Sequence, residues 1–403
     1  MNGTHHAPAD DPPGLSVVEH RDAARLGALK EEWRALFDAA QAPSPFLSWE
    51  WLHTFHRCFA ARRPIWILEA RDRAARLAGL LVLSGRPGLV GERRFALLGN
   101  GVTGADGLDV LARPELAVGV RAAIAHALAA SVSAWDVLDL EDLPCGSPTV
   151  AALRAAMTAR GAHTHVERGF VCPGFAVRGT FEEHLARIRR RETYGRRVRW
   201  LERQPGYRIE VATAPDEAAA AMEDFLRLHR LRWQVEGGSS GIPPGVVEDF
   251  HREVAPLLAA RGWLRMYRLF VGRDAIAAVY GVEVGRRFFY YQSGYDPAWS
   301  ARSPGVVLVG RTVEDAYARG LTDYDFLRGT EAYKMDWAWD RHETCSVRLH
   351  APSLRAGTAA AAEEAFRAAR GLARSVAPER VWGALRRARR SLEASALAGS
   401  RGG

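Results

Sequence analysis

Lysine is nearly absent from this chain. The 403 residues hold 53 arginines but only two lysines, Lys30 and Lys334. Arginine is the default cation, so Lys334 stands out in DYDFLRGTEAYKMDW (Asp323–Trp337), among aromatics, a glycine and a glutamate. Its compact ammonium is a point charge that arginine's flat fork does not imitate. Cysteine is scarce too. Cys58, Cys145, Cys172 and Cys345 are far apart, with no CxxC and no histidine at finger spacing, which excludes a zinc finger and a disulfide framework. A reducing cytoplasm fits this usage. His53 and His56 have no third ligand beside them, so no metal is expected. Long apolar runs are missing as well: Leu77–Ser84 falls far short of the ~20 residues that cross a bilayer. The opening MNGTHHAPADDPPG lacks the apolar core of a secretory signal, and residues 1–14 read as a disordered leader.

What is present is the mix of a soluble globular protein, 48% hydrophobic and 25% charged, in a chain long enough for two or three domains. The net charge of +8 is uneven. Ser353–Gly403 carries ten Arg and four Glu, leaving about +2 for the rest, so the body gives no bulk sign of nucleic-acid binding. The basic, Ala-rich tail reads as an amphipathic helix, either solvated or suited to peripheral contact with an anionic membrane.

Periodicity gives the same order of elements twice: strand, helix, helix, three meandering strands, helix, strand. EARDRAARLAGLLVLSG resembles VGRDAIAAVYGVEVG, and AWDVLDLEDL resembles TDYDFLRGTE. The fold class is therefore α/β, built from two copies of one unit of ordinary domain size. GNGVTG (Gly99–Gly104) is a literal G-x-G-x-x-G, but Gly107, Asp109 and Pro114 follow where a dinucleotide site needs a helix, so it reads as a glycine turn.

Ala275–Asp340 carries the most information. The aromatic strand ending in Gly294 leads through Asp296, Pro297 and Trp299 to SPG (Ser303–Gly305), which opens a helix. Ser303 is expected to cap it, Pro304 suits its first turn, and Gly305 lets backbone approach a ligand. Free N–H groups there make an anion site for a pyrophosphate or a developing oxyanion. Thr180–Arg203 is expected to be one basic helix, with Arg189, Arg196 and Arg203 striping a face fit for phosphates.

HRLRW (His229–Trp233), IAAVYG (Ile276–Gly281), YYQSGYDP (Tyr290–Pro297), SPG and DYDFLRGTEAYKMDW together resemble the GNAT acyltransferase superfamily. More closely they resemble its CelD/BcsL-type acetyltransferases, which are similar to the Fem-type aminoacyltransferases with paired GNAT-like domains. The resemblance covers about Trp33–His350 and is specific in its last 70 residues. It implies two GNAT-like domains in tandem, with mixed central sheets flanked by helices. The boundaries set here are a degenerate copy at 15–175, a catalytic copy at 176–352, and a tail at 353–403. It also implies acetyl-CoA or another acyl-CoA as co-substrate, held by Arg302, Ser303, Gly305 and Val306. RSPGVV keeps only Gly305 and Arg302 of the family's Q/R-x-x-G-x-G/A loop.

Acyl transfer needs a base, donors for an oxyanion and a proton for the leaving group. Lys334 is assigned to the developing charge, with Glu331 and Asp325 as the nearest carboxylates. His229 is assigned as a base, and Tyr295 or Tyr333 as proton donor. Trp233, Gln292, Arg328 and Tyr333 are assigned to substrate contact. The acceptor class is a small-molecule or saccharide amine or hydroxyl in exopolysaccharide or cell-envelope synthesis. Two other readings stand beside this one: a Fem-like transferase fed by aminoacyl-tRNA, and a non-catalytic scaffold of a polysaccharide-synthesis complex. The oligomeric state is left open.

Overall fold

The computed structural model describes residues 4–6, 14–40, 43–235 and 241–376. The chain divides into two compact units, Met1–Phe170 with Glu343–Gly403, and Val171–His342. These edges differ from the expected 15–175 and 176–352. The final strand and the helix after it pack with the first unit.

In the first unit, β1 (Thr4–His6), β2 (Leu15–His20), β3 (Ile65–Asp72), β4 (Leu77–Arg86) and β5 (Arg94–Leu97) form an antiparallel run. Thr4–His6 pairs with Val17–Glu19, so the expected leader contains a strand. Helices α1 (Ala24–Ala28), α2 (Lys30–Ala39) and α3 (Trp49–Phe55) lie between β2 and β3. Ser48 caps α3 by accepting from Trp51 N–H. The short β6 (Leu111–Ala112) pairs with β4. Helix α4 (Ala117–Ala130) leads to β7 (Val137–Pro144), which joins β5 in parallel, and α5 (Pro148–Thr158) follows. Strand β8 (His163–Ala176) carries the chain into the second unit.

The second unit repeats the plan. The expected single helix Thr180–Arg203 is two: α6 (Phe181–Arg187), closed by a Thr180–Glu183 capping box, and α7 (Arg191–Glu202). Ile188 is buried in extended conformation between them, which takes Arg189 off the helix and breaks the expected stripe. Strand β9 (Arg208–Ala212), helices α8 (Pro215–Val235) and α9 (Val246–Ala260), and the meander β10 (Leu264–Val271), β11 (Asp274–Val284) and β12 (Arg287–Tyr295) follow. Helix α10 (Pro304–Ala318) leads to β13 (Asp323–Asp325), parallel to β12 and antiparallel to β8. The strand order is β8-β13-β12-β11-β10-β9. Its core gathers Tyr267, Val279, Phe288, Val307, Tyr324 and Trp337. A further helix, α11 (Ala332–Trp337), forms where the sequence reading placed only the end of a strand.

The chain then returns to the first unit through β14 (Asp340–His350), paired with β7, and α12 (Leu354–Val376). Helix α12 is docked: Glu363 accepts from Arg94 and sits within salt-bridge range of Arg348 and His350. The expected 353–403 tail therefore begins as part of the unit, and its remainder lies outside the described residues. No helix among the described residues is long and apolar enough to cross a membrane.

Candidate active site

The site is built where β12 and β13 part. Their parallel ladder runs only from Arg287↔Asp323 to Phe289↔Asp325, and β12 continues alone to Tyr295. A bulge sharpens the departure: Gly281 faces Tyr290 but Tyr280 faces Gln292, so Tyr291 is the extra residue. Helix α8 crosses β12 so closely that a Cβ on Gly294 would lie 2.4 Å from the His229 backbone nitrogen. Glycine is needed there, and this approach brings the HRLRW segment against YYQSGY.

At the crossing, the guanidinium of Arg232 lies 5.1 Å from the Trp233 ring centroid, 5.6 Å from Tyr295 and 5.8 Å from Tyr333, and donates to Ser293 Oγ at 3.1 Å. A cation held against aromatic faces away from bulk water acts on charge more strongly than a solvated one. Tyr333 and Tyr290 have ring centroids 6.2 Å apart. Burial first, then the neighbouring Tyr290, raises the Tyr333 hydroxyl well above the usual tyrosine range. It stays protonated at physiological pH and is a proton donor. Glu331 acts on both tyrosines as a nearby negative charge. Arg232 was quoted in a motif but given no role. The signal available was its place one helical turn after Leu228, on the face that meets β12.

The second cluster is the turn after β13. Lys334 is buried and donates to the Arg328 carbonyl at 2.6 Å, with Glu331 Oε2 at 3.2 Å. A buried ammonium without such partners costs several kcal/mol, so this pairing fixes the turn. The lysine is therefore a brace inside a short helix. Asp325 is buried too. It accepts from Leu327 N–H at 2.8 Å, holding Leu327 at a φ of 56°, and lies 3.6 Å from His342. Glu331 is the more accessible of the two assigned carboxylates.

His229 departs from its assigned role. Burial, then Arg232 and Arg230, push its pKa down to about 3, which makes a weak base at neutral pH. Its ring packs between Phe225 and Trp233, with centroids 5.6 and 6.1 Å away. Gln292 turns back on its own strand, its Oε1 accepting from Ser293 N–H at 3.1 Å.

The start of α10 also differs from expectation. Ser303 does not cap the helix: it sits in the left-handed region at φ 50°, and its hydroxyl donates to the Ser300 carbonyl at 3.3 Å. Such an outlier stores strain at a helix start. The Ser303 N–H bonds Ser300 and the Val307 N–H bonds Ser303, while Pro304 has none. Gly305 and Val306 are left as the first-turn N–H donors facing outward. A Cβ on Gly305 would meet Tyr295 at 3.4 Å, which puts this helix start beside the Arg232 cluster. Arg302 lies 4.0 Å over Trp200 of α7. Helix α7 is anchored by Tyr194 against Gly310, and it carries the exposed Arg196 and Arg199. No group of His, Cys, Asp or Glu able to hold a metal occurs among the described residues.

Residues 189–335 match the protein-family profile described as an acetyltransferase (GNAT) domain. The comparison with curated proteins finds no match. Among solved structures, FemX is similar at 10% identity and a TM-score of 0.56, over 78% of this chain and 95% of that one. A C-terminal domain assigned to a lysylphosphatidylglycerol synthetase of Agrobacterium fabrum is similar at 8% identity and a TM-score of 0.51, over 86% and 96%. A conserved protein of unknown function from Bacteroides thetaiotaomicron is similar at 12% identity and a TM-score of 0.51, over 80% and 97%. Likeness at such identity is a likeness of fold. The chain is an α/β protein of two GNAT-like units, with mixed sheet flanked by helices.

Proposed function

We propose that the second unit is an acyltransferase that moves an acyl group from acyl-CoA to an amine or hydroxyl acceptor. The parting of β12 and β13 beside the α10 start carries this reading. An extended donor arm entering the parting can pair with the free edge of Tyr290–Tyr295, while Gly305 and Val306 N–H groups and Arg302 meet its phosphates. The acceptor attacks the thioester carbonyl, its C–S bond breaks, and a C–N or C–O bond forms. Arg232 stabilises the oxyanion, Tyr333 protonates the departing thiolate, and Glu331 takes the acceptor's proton. The CelD/BcsL resemblance supports a saccharide or cell-envelope acceptor.

Calorimetric titration with acetyl-CoA tests the donor. Wild-type protein is expected to bind, Gly305→Glu to lose binding, and Arg232→Ala to keep binding while turnover falls about 100-fold. A folded wild-type protein that neither binds acetyl-CoA nor releases CoA overturns the reading.

A Fem-like aminoacyl-tRNA donor is the second reading. It is favoured by exposed arginines at 189, 190, 191, 196 and 199, close to the helix start in sequence and packing. It predicts binding of tRNA that weakens steeply with salt and is insensitive to acetyl-CoA.

A further inference from the structure

The largest cavity described lies in the first unit and plays no part in the proposed chemistry. It measures about 370 Å³ and is lined by Arg62, Arg63, Arg86, Arg93 and Arg94, with Glu92 as its only carboxylate. The fold concentrates positive charge here. Arg86 and Arg94 are direct partners across β4 and β5, a like-charge pairing that destabilises a sheet unless something offsets it.

Two of these arginines are neutralised from behind. Arg94 bonds Glu92, Asp139 and Glu363, and Arg93 holds Asp136 through two donors at 3.0 Å. Glu92 is itself consumed, accepting from Leu89 N–H, Val90 N–H and Arg94. Arg63 and Arg86 remain. Among the described residues Arg63 has no hydrogen-bonded or ion-paired partner, and Arg86 has only the Asn100 carbonyl at 2.9 Å. Burial and then the positive charge of Arg86 lower the Arg63 pKa, so each guanidinium feels the other without an anion between them. Two planar forks converging on an open, half-buried cavity suit a group with several oxygens, and phosphate matches that geometry.

We propose that the first unit binds a phosphate group in this cavity through Arg63 and Arg86. The assignment is independent of the acyltransferase reading, since every residue involved belongs to the first unit. The phosphate is that of a soluble phosphorylated metabolite or of a lipid headgroup, and exposed Leu89 and Val90 beside the lining residue Pro87 are the place where a lipid chain would rest.

The test uses the full chain at fixed ionic strength. Inorganic phosphate is titrated by calorimetry, and phosphatidylcholine vesicles with and without phosphatidic acid are tested by flotation. Arg63→Ala and Arg86→Ala are each expected to weaken binding about tenfold. Arg168→Ala, an exposed arginine of the same unit, is expected to leave it unchanged. Phosphate binding that depends on Arg63 supports a soluble ligand; binding seen only with phosphatidic acid, and again dependent on Arg63, supports the headgroup. Failure of both probes, or equal weakening by Arg168→Ala, overturns the site.

Discussion

The two units carry the same strand order, yet only the second leaves room at the end of its parallel pair. In the first, β5 and β7 pair from Arg94↔Val137 to Ala96↔Asp139, matching β12 and β13 residue for residue. There β5 stops at Leu97, and residues 105–111 fill the space that follows. Ala105, Leu108 and Val110 are buried, Leu108 N–H bonds the Asp142 carbonyl, and Asp109 takes the hydroxyls of Ser147 and Thr149 at 2.5 Å. The cavities left there, about 20 and 10 Å³, hold a water at most. In the second unit β12 runs on past its partner, and the matching position carries the strained Ser303 and the start of α10. One plan thus gives a plugged copy and an open one, and the plug is a hydrophobic segment anchored by an aspartate.

The sharpest way to break this contrast is to empty the plug. Leu108→Ala removes a fully buried side chain beside an existing void and is expected to destabilise the protein by about 3 kcal/mol, read by chemical denaturation. Donor binding in the second unit should not change. If Leu108→Ala binds acetyl-CoA differently while still folded, the two copies are not independent in the way the residue placement implies.

A smaller effect separates brace from catalyst at Lys334. Lys334→Ala removes the tie to the Arg328 carbonyl and Glu331, and is expected to cost roughly 2 kcal/mol. Turnover of the folded fraction is expected to fall less than about tenfold, well below the ~100-fold loss typical of a removed proton-transfer or oxyanion group. A large fall in kcat with an unchanged melting temperature would return Lys334 to the chemistry first assigned to it.

Much of this was legible in the sequence. Turn glycines and alternating apolar residues gave the meander, and the paired segments AWDVLDLEDL and TDYDFLRGTE gave the repeat. The repeat extends to a buried aspartate at the same place in both units, Asp139 and Asp325. Asp139 is bound by Arg94 and Arg348, which suggests that Asp325 is inherited architecture. What stayed hidden depended on tertiary packing. Ile188 gives up helix to bury its side chain. Ser303 looks like an N-cap but turns left-handed, because the preceding turn claims its hydroxyl and N–H. Arg232 is one of 53 arginines until the Gly294 crossing puts three rings around it.

The smallest effect distinguishes the units by acid. In the second unit, burial lowers His184 to about 4 and both His229 and His251 to about 3, from an ordinary 6.5. A depressed histidine binds its proton less readily when folded than when unfolded, so the stability it allows is full above pH 6.5 and is lost as pH falls toward the folded value. Each should cost roughly 1 kcal/mol by about pH 5.5. The first unit has one histidine shifted that far, His53, at about 4, and its own acid-labile element lies lower. Burial opposes ionisation of Glu92, but the Val90 N–H and Arg94 outweigh it and bring the group to about 2, so that contribution survives until pH drops below 4.5. Hydrogen exchange followed by peptide, corrected for intrinsic rates, should show α8 and α9 losing protection between pH 7 and 5 while β4 and β5 keep theirs. His251→Phe, which keeps a ring against Tyr280 and Tyr291 without the titrating nitrogens, should flatten the second unit's response. Earlier loss in the first unit would mean that its plug, not the histidine-lined face of the open copy, is the weaker structure in acid.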